Sequence, residues 1–305
     1  MKKAKLLILT ALFCQATYSQ NDTQAVKSGF VVYSVFCNIA PHQFKFPLIG
    51  FVNVATGDYQ GLQLGFVNTT LKGFKGVQAG FVNTTLKNAD GLQLGFVNTT
   101  VRDFSGMQAG FVNTTPKNAD GLQLGFVNTA GKGIKGSQLG FVNYADSITN
   151  GIPIGFVSIV KKGGYRAIEI SANELYPVNL SFKIGVPRFY SYIQGGYNPR
   201  FEKDFAFGAG FGALCPIGKN LYFNPEIGSM NPIGKNNHQQ MLSLVGSFRY
   251  ELFSAVQIAV GPSAVWMYSS KGEDLYKPEY SIANRKIDNN NRLLIGVRAA
   301  LSVNF

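Results

Sequence analysis

The stretch 61–75 reads GLQLGFVNTTLKGFK, and it decides the fold because it recurs. Gly-Phe-Val-Asn begins at Gly50, Gly65, Gly80, Gly95, Gly110, Gly125 and Gly140, and Gly155-Phe156-Val157-Ser158 is an altered eighth copy. Every step is 15 residues, and Val35-Phe36-Cys37-Asn38 reads as a degenerate ninth copy upstream. Repetition at a fixed period is the first thing a fold must explain. Inside the unit, Leu62, Leu64 and Phe66 alternate with Gln63, Gly65 and Val67. That is period two, the signature of a strand with one large apolar face and one small or polar face. A ten-residue strand plus a five-residue connection fills the 15-residue unit, a natural size for one arm of a hairpin.

A second period, twice as long, sets the expected strand direction. Connections 70–75 (TLKGFK), 100–105 (TVRDFS) and 130–135 (AGKGIK) are basic with an apolar residue. Connections 55–60 (ATGDYQ), 85–90 (TLKNAD), 115–120 (TPKNAD) and 145–150 (ADSITN) are polar and run into Gly. In an up-and-down meander odd and even turns lie on opposite sides of the sheet, so alternation every 30 residues predicts antiparallel strands. Asp90-Gly91 and Asp120-Gly121 read as ordinary turn residues; calcium binding there would need clustered carboxylates. Near-identical copies also suit a β-solenoid of two strands per coil, in which Asn, Gln and Phe stack into ladders. The apolar stripe Leu62–Phe66 is only roughly 13 Å long, short of the roughly 25 Å band of a membrane barrel, and Asn68 falls on the same face.

After Gly164 the repeat ends and the alternation sharpens. Val178, Leu180, Phe182, Ile184 and Val186 oppose Asn179, Ser181, Lys183 and Gly185; Leu293, Ile295, Val297, Ala299, Leu301, Val303 and Phe305 oppose Gly296, Arg298, Ala300, Ser302 and Asn304. Strands are expected near 165–173, 177–186, 188–196, 204–214, 220–228, 240–249, 254–267 and 292–305. Their connections alternate short and long, as in outer-membrane barrels. With one strand per repeat, the expectation is a single all-β, antiparallel up-and-down transmembrane β-barrel of about 16 strands. The alternative is an N-terminal β-solenoid followed by a C-terminal barrel or sheet. In the barrel reading the basic turns face the periplasm and the acidic ones the outside.

Composition fits export to a membrane. Lys2, Lys3 and Lys5 precede the apolar run 6–13, and Thr17-Tyr18-Ser19 offers small residues at a cleavage site, which reads as a signal peptide over 1–19 that takes Cys14 with it. The domain reading is then a 20–46 segment with the degenerate repeat, eight repeats over 47–160, and barrel strands over 161–305. No later stretch is apolar for the roughly 20 residues of a spanning helix, so any membrane crossing is by closed barrel. Removing three lysines takes the net charge from +12 to +9; outer-membrane lipid is the expected partner of that charge, with no nucleic acid. Cys37 and Cys215 are 178 positions apart and are read as free thiols within strands.

Chemistry is sparse. Histidine is limited to His42 and His238, with no spacing for a shared metal; no phosphate loop occurs, and no cofactor is expected. His238 is the sole candidate base for a lipid hydrolase and reads more simply as a solvated loop residue. Asn68-Thr69-Thr70 matches a glycosylation sequon that strand position makes coincidental. Glu169, Lys183, Glu226, Arg249 and Arg298 fall on inward positions and are the candidate lumen-lining set, either a self-satisfying polar network or a selectivity lining. The chain is not expected to be an enzyme.

Leu293 to Phe305, a strictly alternating segment closing on Val303 and Phe305, resembles the C-terminal assembly signal of bacterial outer-membrane barrels; the resemblance implies recognition by the barrel-assembly machinery. The repeats resemble the GxQxGxVN-type surface-repeat family of spirochaete and Bacteroidetes outer-membrane and surface proteins. That resemblance covers about 46–160, is best over Gly61 to Asn68, and departs at Pro41-His42-Gln43, where a turn is expected. It implies location and no activity. The expected function is therefore an outer-membrane surface barrel, structural or a passive small-solute pore; the alternative is a surface interaction or adhesion protein presenting a repeat solenoid.

Overall fold

A computed structural model describes residues 31–42, 44–199, 204–233, 239–270 and 280–305. The signal-peptide reading, Cys14, the start of the 20–46 segment, Gln43 and His238 lie outside the described residues. The chain divides into two compact units, 1–117 and 118–305, and among the described residues every regular element is a strand.

In the first unit the repeats form a parallel β-solenoid, not a meander. Each 15-residue copy is one coil carrying two short strands, such as Tyr59–Leu64 and Val67–Thr70. Tyr59–Leu64 pairs in parallel with Phe74–Ala79, which pairs with Ala89–Leu94, which pairs with Phe104–Ala109. The second sheet stacks Cys37–Ala40, Val52–Ala55, Val67–Thr70, Val82–Thr85 and Val97–Thr100 in the same sense. Partners are always 15 apart, so identical residues lie on one another. Cys37–Ala40 is thus a first coil strand, and the antiparallel bridge of Val32 to Ile39 covers its outer edge, with N–H to O distances of 2.9 and 2.8 Å.

The corner Gly65-Phe66 explains why simple alternation misleads. Before it, even positions face out: Leu62 and Leu64 are partly exposed while Gln63 is fully buried. After it the phase flips, and Asn68 and Thr70 point in. A Cβ on Gly80 would lie 2.0 Å from Gly65 O and 2.6 Å from Asn68 Nδ2, so the corner has room for glycine alone. Gly76, at φ +133, serves a bend inside the strand Phe74–Ala79. Asp90-Gly91 likewise belongs to the strand Ala89–Leu94 and is no hairpin turn.

The second unit begins with further coils. Asn118–Leu124 pairs in parallel with Gly133–Leu139, and Val127–Ala130 with Val142–Thr149, which pairs with Val157–Lys162. From Tyr165 the geometry changes to an antiparallel barrel. Its strands are Tyr165–Ala172, Val178–Val186, Phe189–Asn198, Asp204–Gly212, Leu221–Ile233, Gln239–Phe253, Val256–Ser269 and Asn291–Asn304. Each pairs with the next, and the last closes on the first through pairs such as Ile168 with Val303. Sixteen strands are therefore eight: the repeats contribute none to the wall, because a coil strand pairs in parallel with its copy and cannot join an antiparallel meander. All eight strands expected after Gly164 are the barrel strands.

The wall is inverted relative to a soluble core. Leu180, Phe182, Leu242, Leu244, Ile295, Val297, Leu301 and Val303 face outward and are exposed, while Asn179, Ser181, Lys183, Arg298 and Ser302 face inward and are buried. Outward aromatics gather toward both rims, Trp266 and Tyr268 at one, Tyr250, Phe253 and Phe305 at the other. Leu293 to Val303 spans roughly 33 Å along the strand, roughly 25 Å once tilted as barrel strands are.

Candidate functional site

Two sites emerge, one inside the barrel and one along the solenoid. The five residues expected to line the lumen come together there. Lys183 Nζ lies 2.8 Å from Glu169 Oε2 and 2.5 Å from Glu226 Oε1. Arg249 reaches Glu169 Oε2 at 2.5 Å, and Arg298 bridges both carboxylates. Three cations thus share two carboxylates, with side chains 0–5% exposed. Removing such charges from water is costly unless hydrogen bonds complete the network, and here they do. Tyr190 Oη donates to Glu226 Oε1 at 2.6 Å, Asn224 Nδ2 donates to Tyr190 Oη at 2.6 Å, and Arg249 Nε donates to Asn224 Oδ1 at 3.1 Å. Arg249 also donates to Ser302 Oγ. Lys183 stands over the Tyr190 and Tyr192 rings, 5.3 and 5.8 Å from their centroids.

Sequence reasoning missed Tyr190, Tyr192, Asn224 and Ser302, although each sits at an inward position of an alternating strand. Above the network the connection 173–177 folds into the barrel mouth. Leu175 and Tyr176 pack with Met230, Met241, Val265, Met267 and Leu294. Asn173 Oδ1 accepts from the N–H of Leu175 and Tyr176 at 3.0 and 2.8 Å, fixing the turn. Glu174 Oε2 accepts from Ser263 Oγ at 2.6 Å, and burial pushes its carboxyl above the ordinary carboxylate range. The ion network and this apolar cluster both lie inside the barrel. Val303 and Phe305 end the closing strand, both outward and exposed.

The solenoid interior is built of amides. In the first unit Asn38, Asn53, Asn68, Asn83, Asn98 and Asn113 form one buried column, each Nδ2 donating to the next Oδ1 at 2.7–2.9 Å. Gln78, Gln93 and Gln108 each donate to the Gln one coil before at 2.6–2.7 Å. Thr70, Thr85, Thr100 and Thr115 hydroxyls donate to those Gln oxygens at 3.1–3.3 Å. The second unit repeats the pattern, ending where Asn143 meets Ser158 Oγ at 3.3 Å.

Its outside carries two unlike edges. At the Gly-Phe corner, rings 51, 66, 81, 96 and 111 stack at centroid distances of 4.9–5.1 Å and within 3° of parallel. At the opposite corner, between the second strand and the next coil, stand Lys72, Lys87, Arg102 and Lys117, all exposed. Elsewhere the charges alternate: Lys75 faces Asp90 at 3.7 Å and Lys135 faces Asp120 at 3.5 Å. This explains the 30-residue period, and it overturns the reading of basic turns on one side and acidic turns on the other. The two kinds lie on the same face of successive coils.

His42 stands 3.7 Å from Asp58, at the coil corner and away from any candidate nucleophile cluster. Cys37 is partly buried and Cys215 exposed, and the two are not joined by a disulfide. Among the described residues no group of three or more His, Cys, Asp or Glu is arranged to hold a metal ion.

The class these features define is an all-β chain in which a parallel β-solenoid leads into an eight-stranded antiparallel closed barrel. No family model matches the chain, and no curated protein matches it. Among solved structures, a de novo designed transmembrane β-barrel is similar over 47% of this chain and 96% of its own, at 11% identity and a TM-score of 0.28. A likeness that distant carries no argument about function.

Proposed function

We propose that the protein is a membrane-anchored interaction protein without enzymatic activity, in which the barrel sits in the outer membrane and the solenoid meets a partner. The observation that carries this reading is the reversal of polarity between the two folds. The barrel turns Leu, Ile, Val and Phe outward and encloses an ion network, which water alone would not favour. The solenoid encloses its amides and offers regular edges. A filled lumen argues against the passive-pore reading.

The barrel's topology supports an orientation. Tyr165 starts, and Asn304 ends, at the rim that also holds the two-residue connections Pro187-Arg188 and Ser254-Ala255. That rim also carries 213–220, while 173–177, 199–203, 234–238 and the longest connection, 270–290, join strands at the other rim. In outer-membrane barrels short turns face the periplasm, so the coils leading into Tyr165 approach from that side. Purification and planar-bilayer recording test the proposal. The full chain should need detergent to stay monodisperse and should show no stepwise conductance. A folded monomer in plain buffer ends the membrane reading, and discrete channel openings restore the pore.

A further inference from the structure

The cation column Lys72, Lys87, Arg102 and Lys117 is the part of the solenoid that breaks the pattern of its neighbours. The backbone fixes the stacking: Leu71, Leu86 and Val101 N–H groups donate to Ala55, Thr70 and Thr85 O at 2.8–2.9 Å, and Arg102 N–H reaches Lys87 O at 3.4 Å. One positive side chain therefore stands on each of four successive coils, roughly 4.8 Å apart. Like charges opposed in neighbouring strands are unfavourable. The sheet face neutralises its charges with Asp90 and Asp120. At the edge, among the described residues, no carboxylate lies within ion-pair distance of these four cations. Asp58 and Asp103 stand one place beyond the column, and Asp58 is engaged with the Gly73 N–H at 2.8 Å. Four cations against two carboxylates leave a positive ridge. The residue before each cation varies, Leu71, Leu86, Val101 and Pro116, as does the one after, Gly73, Asn88, Asp103 and Asn118. Only the charge is constant.

We propose that this ridge binds a linear acidic polysaccharide, laid along the solenoid axis with its acid groups on successive cations. A rigid column of single charges at a spacing close to the advance of one extended sugar unit fits a chain better than a plane. A bilayer surface would call for aromatic side chains beside the basic ones, and in this solenoid the aromatic column lines the opposite edge. The inference deepens the interaction reading and rests on it. The polysaccharide could come from the cell's own wall or from outside it, and both sources present the same chemistry.

The full chain in non-ionic detergent, titrated with polygalacturonate and with neutral dextran, provides the test. Binding of the acidic chain alone is expected, weakening steeply with salt because the contacts are exposed charges. Changing Lys72→Gln, Lys87→Gln, Arg102→Gln and Lys117→Gln together should cost at least about tenfold in affinity, equivalent to about 1.4 kcal/mol. Lys75→Gln, whose partner is Asp90, should change it less than about twofold. Arginine at 72, 87 and 117 should retain it, which shows that the fourfold variant loses charge and not fold. Unchanged affinity in the fourfold variant overturns the proposal. So does a ridge-dependent attachment to phosphatidylglycerol vesicles in place of polygalacturonate. Labelled polygalacturonate on intact and permeabilised cells separates the two sources; binding to neither also overturns it. Loss of glycan binding would leave the detergent requirement untouched, so failure here and failure of the membrane reading are distinguishable.

Discussion

Asn83 shows what a single residue does in this fold. Its Nδ2 donates to Asn98 Oδ1 and Leu94 O, both at 2.8 Å, and its Oδ1 accepts from Asn68 at 2.8 Å. Leucine there would remove the donor to a buried acceptor on Asn98. Asn83→Leu is expected to destabilise the full chain by about 1–3 kcal/mol, read as a lower urea midpoint of the β-sheet circular dichroism signal. Glu174 is the opposite case, a residue the fold tolerates. Burial raises its carboxyl pKa, with Ser263 only partly offsetting that. A carboxyl raised on folding contributes stability below its unfolded pKa, and the contribution is lost as pH rises through the folded value. Glu174→Gln, which can keep an acceptor for Ser263, should therefore match the parent in acid and resist heat better at neutral pH. The check is the temperature at which the compact band of an unboiled gel sample disappears. Equal behaviour at both pH values would mean that the carboxyl is solvated in the mouth.

At the scale of the element, the alternating coils make a packing argument that the sequence displayed before its meaning was clear. The inward column runs Tyr59, Phe74, Ala89, Phe104 in the first unit and Ala119, Ile134 in the second, all buried. Tyr59 and Phe74 stack with ring centroids 6.2 Å apart, and from there a small residue alternates with a large one. Ala89→Phe would set four rings in succession, Tyr59 to Phe104, inside a closed coil and should cost about 1–3 kcal/mol through overpacking, seen as a lower urea midpoint with the barrel's heat shift unchanged. The same alternation had pointed to a meander, because 15 residues accommodate equally a strand with its hairpin or a coil of two four-to-six-residue strands. What separates them is parity. Leu62 and Asn68 share parity yet face opposite ways, and the reversal happens at Gly65, where a Cβ would strike Gly50 O at 2.0 Å. A polar residue on the apparent apolar face was the legible sign of the corner. The barrel strands were easier to read, because a closed barrel with unlike inner and outer faces imposes strict alternation along its whole length. The lumen cluster was legible as a set of inward charges; its pairing was not, since Lys183 and Glu226 meet only once the strands close.

At the scale of the whole molecule, closure distinguishes the two folds. Every barrel strand has a neighbour on both sides, whereas a solenoid ends in strands with an open edge, and such edges invite association. The last coil of the second unit ends at Val157–Lys162, where Ser191 Oγ donates to Phe156 O at 2.5 Å and Arg166 donates to Val160 O at 3.2 Å. Cutting between Lys162 and Tyr165 should therefore have unequal consequences. A 163–305 fragment loses two acceptors for side chains at the rim, which water supplies, and keeps every ladder of its wall. It should fold in detergent and retain the heat-dependent gel shift of the full chain. A 31–162 fragment uncovers the carbonyls of its final coil and the free edge of 157–162. Repeats without a terminal cap gain most by stacking on one another, so this fragment should form oligomers that grow with concentration in size-exclusion chromatography. A monomeric, soluble 31–162 fragment would show that the coil end needs no cover, and that the barrel contributes anchorage alone.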